Sequence, residues 1–437
     1  MHLPRWTVYP ALALLAVMLV MAFPEPHGDS HRGAARSARR SARTRSMPIA
    51  PPEAAIGTSV VHAADYLPAG FPHDASVDAT RYLQVALENA VGGRLVLPAY
   101  PLLVSAPPGR QWCLRIPGPL ELVGTPGSAL VERAGAVQVL RAEQVDGLTL
   151  RDFAVRGLHT PGHSLAHGLV QVTFGSDVRI SNLSIDGSDA DGIAIAGARN
   201  VTVDGCVVRG AAKSGIYVSD CDGGAVTANT VEGFGGHIAP DGSVNGAGIQ
   251  LSSNTDVSCR DNLIRSGTGM GILCNAGRDS SQPLMTTITG NRIHDVANEA
   301  NRAASSGIHC ANSSADKLTN TLIAGNLIQH CGLHGIYLSM HSGSHVFGNT
   351  VTESERSGIV VSACEDVELR DNLVRNSDVS AFGGQASIYL LNASRGVHVA
   401  GNRLVNSNVY AEAHGFTGVI DTCEPGANDI PAEDCVE

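Results

Sequence analysis

The stretch HGIYLSMHSGSHVFGNTV (residues 334–351) holds two short phrases that decide the fold. The first is a glycine and an isoleucine followed by an alternating strand, and the second is an asparagine followed by a short apolar run. Both phrases return along the chain in the same order. The glycines of the first phrase are Gly192, Gly215, Gly248, Gly271, Gly307, Gly335 and Gly358. The asparagines of the second are Asn229, Asn262, Asn291, Asn326, Asn349, Asn372 and Asn402, with Cys206 in the same slot one repeat earlier.

The spacing of these phrases is that of a solenoid. The shortest separation, between Gly192 and Gly215, is 215 − 192 = 23 residues, and insertions lengthen some of the others. Each repeat holds only two or three short strands, so successive coils must stack to share one core. We expect the glycine to allow the turn conformation before each strand, and the asparagines to hydrogen-bond from coil to coil. The sequence therefore predicts an all-β fold, a single parallel solenoid.

An amphipathic segment precedes the repeats. DATRYLQVALENAVGGRLVLPA (residues 78–99) places Leu83, Val85, Ala86 and Leu87 together before a glycine pair and a strand. The open end of a solenoid exposes strand edges and core, so we expect a helix here that covers the first coil.

These residues resemble the right-handed parallel β-helix superfamily of pectate-lyase-like proteins. The segment 78–99 is similar to its N-terminal motif, and phrases such as GIYL and GNTV are similar to its repeat, over residues 74–408. The resemblance implies a right-handed parallel β-helix with an N-terminal helical cap. It implies no single activity, because this fold hosts lyases, epimerases, hydrolases and non-enzymatic proteins.

The N-terminal region reads as an export segment. An apolar run (residues 11–23) follows Arg5 and ends near a small-residue cleavage sequence. It is short for a membrane span of ~20 residues. Six arginines directly after it argue against export, because the positive-inside rule would hold that side of the segment in the cytoplasm. We predict a signal peptide or membrane anchor at 1–23 and a disordered Arg/Pro/Ala-rich linker at 24–65. The β-helix follows at 66–408 and a C-terminal tail at 409–437, in a periplasmic or secreted protein.

The charge balance argues against nucleic acid as a partner. Residues 1–46 hold seven arginines and two acidic residues, which leaves 30 − 7 = 23 basic and 41 − 2 = 39 acidic residues in the rest. Phosphate neutralisation supplies most nucleic-acid affinity, so a net charge of −16 excludes that class. An anionic substrate would need a locally basic groove.

The ten cysteines show no zinc-binding spacing. Cys259, Cys274 and Cys310 take positions that are apolar in sister repeats, so we expect them to be buried as small apolar residues. Cys423 and Cys435 flank a segment of the tail. The sequence leaves open whether they form a disulfide bond or remain two free thiols.

One column of outward side chains carries the candidate chemistry. Because side chains alternate along a strand, the residue after each Gly-Ile should point away from the core. This column predicts His309 and Tyr337 as neighbours on adjacent coils, with Tyr217 and Gln250 in the same column. Three insertions, at residues 232–248, 275–285 and 294–307, concentrate beside it.

These residues suggest proton abstraction and donation next to a sugar carboxylate. We expect His309 and Tyr337 to act as base and acid, in either order, with a nearby cation to activate the tyrosine. Tyr217, Gln250, His341 and His237 would bind the sugar, and Arg278 or Arg302 would neutralise its carboxylate. The prediction is a lyase or C5-epimerase for a uronate-containing polysaccharide, without a required cofactor or metal.

Several alternatives remain at this level. His309 and Tyr337 could be ordinary surface residues of a non-catalytic protein that binds glycan or serves envelope assembly. Asp189, Asp191, Asp220 and Asp222 could serve a glycoside hydrolase or bind calcium, the one cofactor considered. The Asp-Asp and Gly-His-Gly motifs of polygalacturonase-like hydrolases are absent, although an Asn-Thr-Asp sequence stands at residues 254–256. The Asp-Pro-His-Asp run of mannuronan C5-epimerases is absent as well. His334 reads as a structural turn residue, and His345, Glu368 and His398 read as a surface ladder or, less simply, a metal site.

Overall fold

The computed structural model describes residues 57–430 apart from 58, 136–137, 159–167, 239–243, 276–285, 298–304, 313–319, 378–386, 406–418, 422, 424–425 and 427. The predicted signal peptide or anchor and most of the predicted linker lie outside these residues. Among the described residues, no helix is long and apolar enough to span a bilayer.

Each coil of the chain passes through three faces, and on each face the strands pair in parallel with those of the next coil. We call these the first, second and third face. The first face contains β4 (Trp112–Ile116), β7 (Gln138–Glu143), β10 (Gly168–Ser181), β12 (Asp191–Asp204), β14 (Ile216–Ser219), β19 (Ala247–Ser252), β22 (Met270–Asn275), β25 (Ile308–Ala311), β28 (Ile336–Ser339), β31 (Ile359–Ser362), β34 (Ile388–Leu391) and β37 (Val419–Asp421).

The second face joins the first through β10 and β12, which bend around the corner and pair on both. Its other strands are β1 (Val60–His62), β2 (Arg94–Val96), β5 (Leu120–Val123), β8 (Leu148–Arg151), β15 (Asp222–Thr227), β20 (Thr255–Arg260), β23 (Thr286–Thr289), β26 (Leu322–Ala324), β29 (His345–Phe347), β32 (Glu368–Arg370) and β35 (His398–Ala400).

The third face is a separate parallel sheet. It contains β3 (Pro101–Leu103), β6 (Ala129–Val131), β9 (Ala154–Arg156), β11 (Ser184–Ser188), β13 (Val207–Ala211), β16 (Thr230–Glu232), β21 (Leu263–Gly267), β24 (Arg292–Val296), β27 (Leu327–Cys331), β30 (Thr350–Ser354), β33 (Leu373–Arg375) and β36 (Arg403–Val405). A short antiparallel hairpin, β17 (His237–Ile238) with β18 (Val244–Asn245), interrupts one coil.

The core is one continuous stack of inward side chains. On the second face these side chains form one file, whose members pair coil by coil and have no exposed surface. It consists of Val203, Val226, Cys259, Ile288, Ile323, Val346, Leu369 and Val399. Cys259, Cys274 and Cys310 are buried, as predicted.

The asparagine ladder is confirmed at the corner between the second and third faces. Asn326 is representative: its Oδ1 accepts hydrogen bonds from the backbone N and the Nδ2 of Asn291, at 3.0 and 2.9 Å. Its own Nδ2 donates to the carbonyl of Ile288 and to Oδ1 of Asn349. The buried amides are therefore satisfied along the stack, which a solenoid corner requires.

Glycine is required in the first phrase for a different reason from the one we predicted. None of these glycines has a positive φ. A Cβ on Gly335 would instead meet the Val351 side chain inside the coil and lie 2.7 Å from the carbonyl oxygen of Gly358 in the next coil. Close packing of adjacent coils, rather than a turn conformation, excludes other residues here.

A single α-helix, α1 (Thr80–Asn89), is described, after a short 3₁₀ helix at Ala63–Tyr66. Leu83, Ala86 and Leu87 of α1 are buried. The Gln84 amide bonds both the N–H and the carbonyl of Arg115 on β4, each at 3.0 Å.

Strand pairing extends past both predicted limits of the β-helix. β1 begins at Val60, before residue 66, and pairs with β2, while β37 lies beyond residue 408 and pairs with β34. The fold class, an all-β parallel β-helix, is confirmed.

Candidate functional site

One column of outward side chains crosses the first face from its first strand to β34. Adjacent members are register partners on neighbouring coils and lie ~4.8 Å apart along the stack. We call it the outward column. It consists of Arg115, Arg141, Gln171, Ala194, Tyr217, Gln250, Leu273, His309, Tyr337, Val360 and Tyr389.

The structure brings His309 and Tyr337 together. Their rings stack with centroids 4.7 Å apart and an interplanar angle of 28°. His334 stacks on Tyr337 as well, at 5.7 Å and 20°. The phenol therefore contacts two imidazoles, one from the previous coil and one from its own.

The two imidazoles are held in the neutral state. Both residues have an enclosed Nδ1 with no hydrogen-bond partner among the described residues. Burial lowers the pKa of His309 to about 4. For His334, burial and then the charge of Arg356 lower the pKa to about 3. A neutral imidazole keeps a lone pair that can accept a proton.

His341 does not face the outward column, so the prediction that it contacts substrate is wrong. The side chain has no exposed surface, and its Nδ1 lies 3.4 Å from Ser344 Oγ. Its backbone N–H donates to Cys364 Sγ, and the N–H of Cys364 donates to Ser394 Oγ. His341 thus occupies an interior ladder slot, between the first and second faces, that smaller residues hold in other coils.

Tyr217 and Gln250 are register partners within a polar network. Gln250 Oε1 accepts from Ser214 Oγ at 3.0 Å, and its Nε2 donates to Ser252 Oγ at 3.2 Å. The Tyr217 hydroxyl bonds Ser219 and Ser252; burial is the larger influence and raises the pKa of Tyr217. These side chains are held in place by the network and form a preformed polar surface.

The predicted cations and His237 are not placed by the structure. Arg278 and Arg302 lie outside the described residues, and only the backbone of His237, in β17, is described. Arg356, which sequence reasoning missed, lies beside His334 and depresses its pKa. Arg356 stands two residues before a repeat glycine, and Lys213 takes the same position in another coil. This recurrence of a cation is the signal in the sequence that could have identified Arg356.

The aspartates near the first coils do not form a metal site. Asp189 and Asp191 are buried, whereas Asp220 and Asp222 are exposed. Within the part of the chain that the structure describes, no three His, Cys, Asp or Glu side chains come together to hold a metal ion. The calcium hypothesis therefore has no support in the described residues.

On the second face, His345, Glu368 and His398 are register partners on adjacent coils, but only His345 bonds Glu368, whose other oxygen pairs with Arg370. His345 Nδ1 lies 2.8 Å from Glu368 Oε2, and His398 Nδ1 lies 2.8 Å from Asp429 Oδ2. The predicted tail cysteine pair falls outside this account, because Cys435 is not among the described residues.

Two family models match the chain. The model for the right-handed β-helix region matches residues 163–320. The chain is a right-handed parallel β-helix protein. A second model, for the periplasmic copper-binding protein NosD, matches residues 283–419. The described histidines and cysteines of that range do not converge on a copper site, since no group of three metal-binding side chains occurs among the described residues.

Solved structures with this β-helix fold are similar to the chain at low sequence identity. The surface adhesin PfbA of Streptococcus pneumoniae is 15% identical, with 80% of this chain and 92% of that chain covered and a TM-score of 0.53. The A-module of a mannuronan C-5 epimerase from Azotobacter vinelandii is 13% identical, with 86% and 100% covered and a TM-score of 0.50. The catalytic domain of Agl-KA is 12% identical, with 86% and 69% covered and a TM-score of 0.60.

Proposed function

We propose that this β-helix protein binds a uronate-containing polysaccharide along the outward column and acts on it as a lyase or C5-epimerase. The observation that carries the proposal is the stacked pair of His309 and Tyr337, a neutral imidazole beside a phenol on adjacent coils. Both reactions begin by removing the C5 proton next to the sugar carboxylate. Both therefore need a base and an acid in one groove.

In this mechanism His309 removes the C5 proton and becomes an imidazolium. A buried imidazole with a pKa of about 4 is a weak base in the free protein. A uronate carboxylate bound beside it would favour the charged form and raise that pKa toward neutrality. Substrate binding itself would thus prepare the base.

Tyr337 supplies the proton that completes either reaction. In a lyase the phenol protonates the departing O4 on the side of the sugar from which His309 takes the C5 proton. In an epimerase the planar intermediate would have to turn over in the groove before Tyr337 protonates C5 on its other face, because the two stacked rings leave no space for a sugar between them. A cation near the carboxylate would stabilise the negative charge that develops when the C5 proton leaves. Arg356, whose charge acts on His334, is our described candidate for this role; Arg278 and Arg302 remain candidates.

The polymer would extend beyond the reacting sugar. On the same column, Gln250 lies two coils and Tyr217 three coils from His309 toward the N-terminus, and both offer fixed polar groups. We place the protein outside the cytoplasm, periplasmic or secreted, from the apolar N-terminal run and the match to a periplasmic family model. A retained N-terminal segment would tether it to the membrane.

The proposal is tested with the purified protein and a panel of uronate polymers. A lyase would generate unsaturated ends, seen as a rise in ultraviolet absorbance, and an epimerase would change the ratio of C5 epimers in the proton NMR spectrum. Activity on at least one polymer is expected. No change in any of them would count against the enzyme and favour a protein that only binds glycan.

Asp191 supports a second candidate, a glycoside hydrolase. Burial raises the pKa of Asp191 to about 6, although Ser214 N–H donates to its Oδ1 at 2.9 Å and Lys213 lies nearby. A carboxyl group that keeps its proton near neutral pH is suited to protonating a glycosidic oxygen. New reducing ends without unsaturation, lost in Asp191→Asn but retained in His309→Ala, would identify this activity.

A further inference from the structure

A cavity of about 510 Å³ lies on the first coil, against the start of α1. Its wall includes Trp112 and Cys113 of β4, Asp78 and Arg81 at the beginning of the helix region, and the proline pair Pro107 and Pro108. Arg115, on the same strand as Trp112, begins the outward column. From Arg115 to His309 the column advances by seven coil spacings, ~34 Å.

The chemistry of the wall favours a ligand with one apolar face and several polar groups. Trp112 is half-buried, so part of its indole remains open, and the Arg110 guanidinium stands 5.6 Å from the ring centroid. Arg81 is exposed and rests over the Tyr82 ring at 4.4 Å. A rigid aromatic surface flanked by two guanidinium groups and a carboxylate can contact an apolar sugar face and hydrogen-bond its edge.

The one thiol among the residues that line the cavity is unreactive. The thiol of Cys113 is fully buried, and burial, followed by the charges of Glu132 and Asp78, raises its pKa to about 12. A thiol in this state is unreactive, because the thiolate is the nucleophilic form. The cavity is therefore suited to binding rather than to reaction.

We propose that this cavity is a binding site for an acidic sugar unit of an oligosaccharide, remote from the His309–Tyr337 pair. The C–H face of the pyranose ring lies on Trp112, Asp78 accepts hydrogen bonds from sugar hydroxyls, and the sugar carboxylate pairs with Arg81 and Arg110. Binding here does not depend on turnover at His309. It would hold a polymer on the first coil while another part of the chain occupies the outward column.

The test uses the fact that the chain contains only two tryptophans, Trp6 and Trp112. In the full-length Trp6→Phe variant the fluorescence comes from Trp112 alone. Titration with oligogalacturonate, with oligomannuronate and with a neutral cello-oligosaccharide should give a saturable change in emission for at least one acidic oligomer. The neutral oligomer should bind at least about fivefold more weakly, because it lacks the charge-assisted hydrogen bonds to arginine.

Three further substitutions, of which the first two are made in the Trp6→Phe background, distinguish binding in the cavity from an effect elsewhere on the surface. Arg81→Gln should weaken acidic-oligomer binding by about tenfold. Arg395→Gln, at an exposed arginine of a C-terminal coil that pairs with Glu365, should leave it unchanged. Trp112→Leu, with its fold verified by circular dichroism, should abolish the heat of binding measured by calorimetry.

No change in emission with either acidic oligomer, or equal binding by the Arg81→Gln variant and by its parent, would overturn the inference. His309→Ala should retain the fluorescence response. Turnover of a polymer without any Trp112 response would refute only this site. A Trp112 response without turnover would refute the proposed activity and leave this site standing.

Discussion

At the scale of single residues, Ile323 and Leu322 are neighbours on β26 that point in opposite directions. Ile323 has no exposed surface and belongs to the inward file, while Leu322 is half-buried on the outside and pairs with His345. This difference makes the two positions a matched pair for testing the coil geometry.

We expect Ile323→Asp to unfold the protein. An unpaired carboxylate in the core costs several kcal/mol, which is comparable with the whole stability of a domain, about 5–15 kcal/mol. Leu322→Asp should change the free energy of unfolding by about 1 kcal/mol or less, because its carboxylate reaches water. Thermal denaturation of both variants measures this; similar stability would mean that the inward and outward assignments of β26 are incorrect.

The buried histidines make stability depend on acid. Burial lowers the pKa of His341 and of His334 to about 3, below the value of about 6.5 for an unfolded histidine. As the pH falls, the unfolded chain therefore takes up protons before the folded one does. The contribution of each histidine to the free energy of unfolding is fully present above about pH 6.5 and is lost as the pH falls toward about 3. At pH 5 the loss is ~2 kcal/mol per histidine.

Replacing these histidines should reduce the loss of stability at acid pH. His334→Ser introduces the residue found at Ser306 and Ser357 in the same slot, and His341→Asn introduces the residue found at Asn254. The double variant should lose about 4 kcal/mol less stability than the wild type between pH 7 and pH 5, as measured by urea denaturation. The exposed His345→Ala serves as control; an unchanged acid limb in the double variant would show that neither histidine is buried neutral.

At the scale of elements, the strand register was predictable and the interior of the corners was not. The Gly-Ile phrase repeats in identity, so its alternation fixes which side chains face the core and which form the outward column. The slot of His341 holds cysteine at Cys221 and Cys364 and asparagine at Asn254, so its members share burial but not one residue type. A column without a common chemistry gives no signal in the sequence, and His341 was accordingly misassigned to the groove.

The candidate site was predictable to the same degree. His309 and Tyr337 lie in the repeated phrase, so their contact followed from the register. Arg356 lies in the turn before the phrase, where residue types vary from coil to coil. The reason for the repeat glycine was also missed, because the steric conflict with Val351 and Gly358 involves a third-face strand and the next coil.

Helix α1 offers a test of the predicted N-terminal cap. The Gln84 amide pairs with both backbone groups of Arg115, and Thr80 Oγ1 accepts from the N–H of Ser105. If α1 is a cap, these side chains take the place of a further strand at the exposed edge. The double variant Gln84→Ala/Thr80→Ala should lose about 2–3 kcal/mol and aggregate in a concentration-dependent way.

Val85→Ala, at an exposed position of the same helix, is the control and should change neither property. Light scattering and thermal denaturation measure both effects. A soluble double variant with wild-type stability would mean that α1 does not protect this edge.

At the scale of the whole molecule, successive coils contribute to one shared surface, the outward column. The outward column aligns Tyr217, Gln250, His309 and Tyr337 on a single straight face, so an extended polymer could contact several coils at once. The chain as a whole is acidic, with a formal charge of −11. An anionic polymer would therefore depend on local cations such as Arg356 rather than on long-range attraction.

The central claim is that His309 and Tyr337 remove and replace a proton at C5 of a uronate. It is tested most directly by following the C5 proton signal of uronate polymers by NMR in deuterated water. With the wild-type protein the signal of at least one polymer should decrease, by exchange in an epimerase or by elimination in a lyase. His309→Ala and Tyr337→Phe should each slow this decrease by about 100-fold or more at unchanged thermal stability. The controls His345→Ala and Tyr66→Phe should behave as wild type, and a C5 signal that decays equally in all five proteins, or in none, would contradict the account.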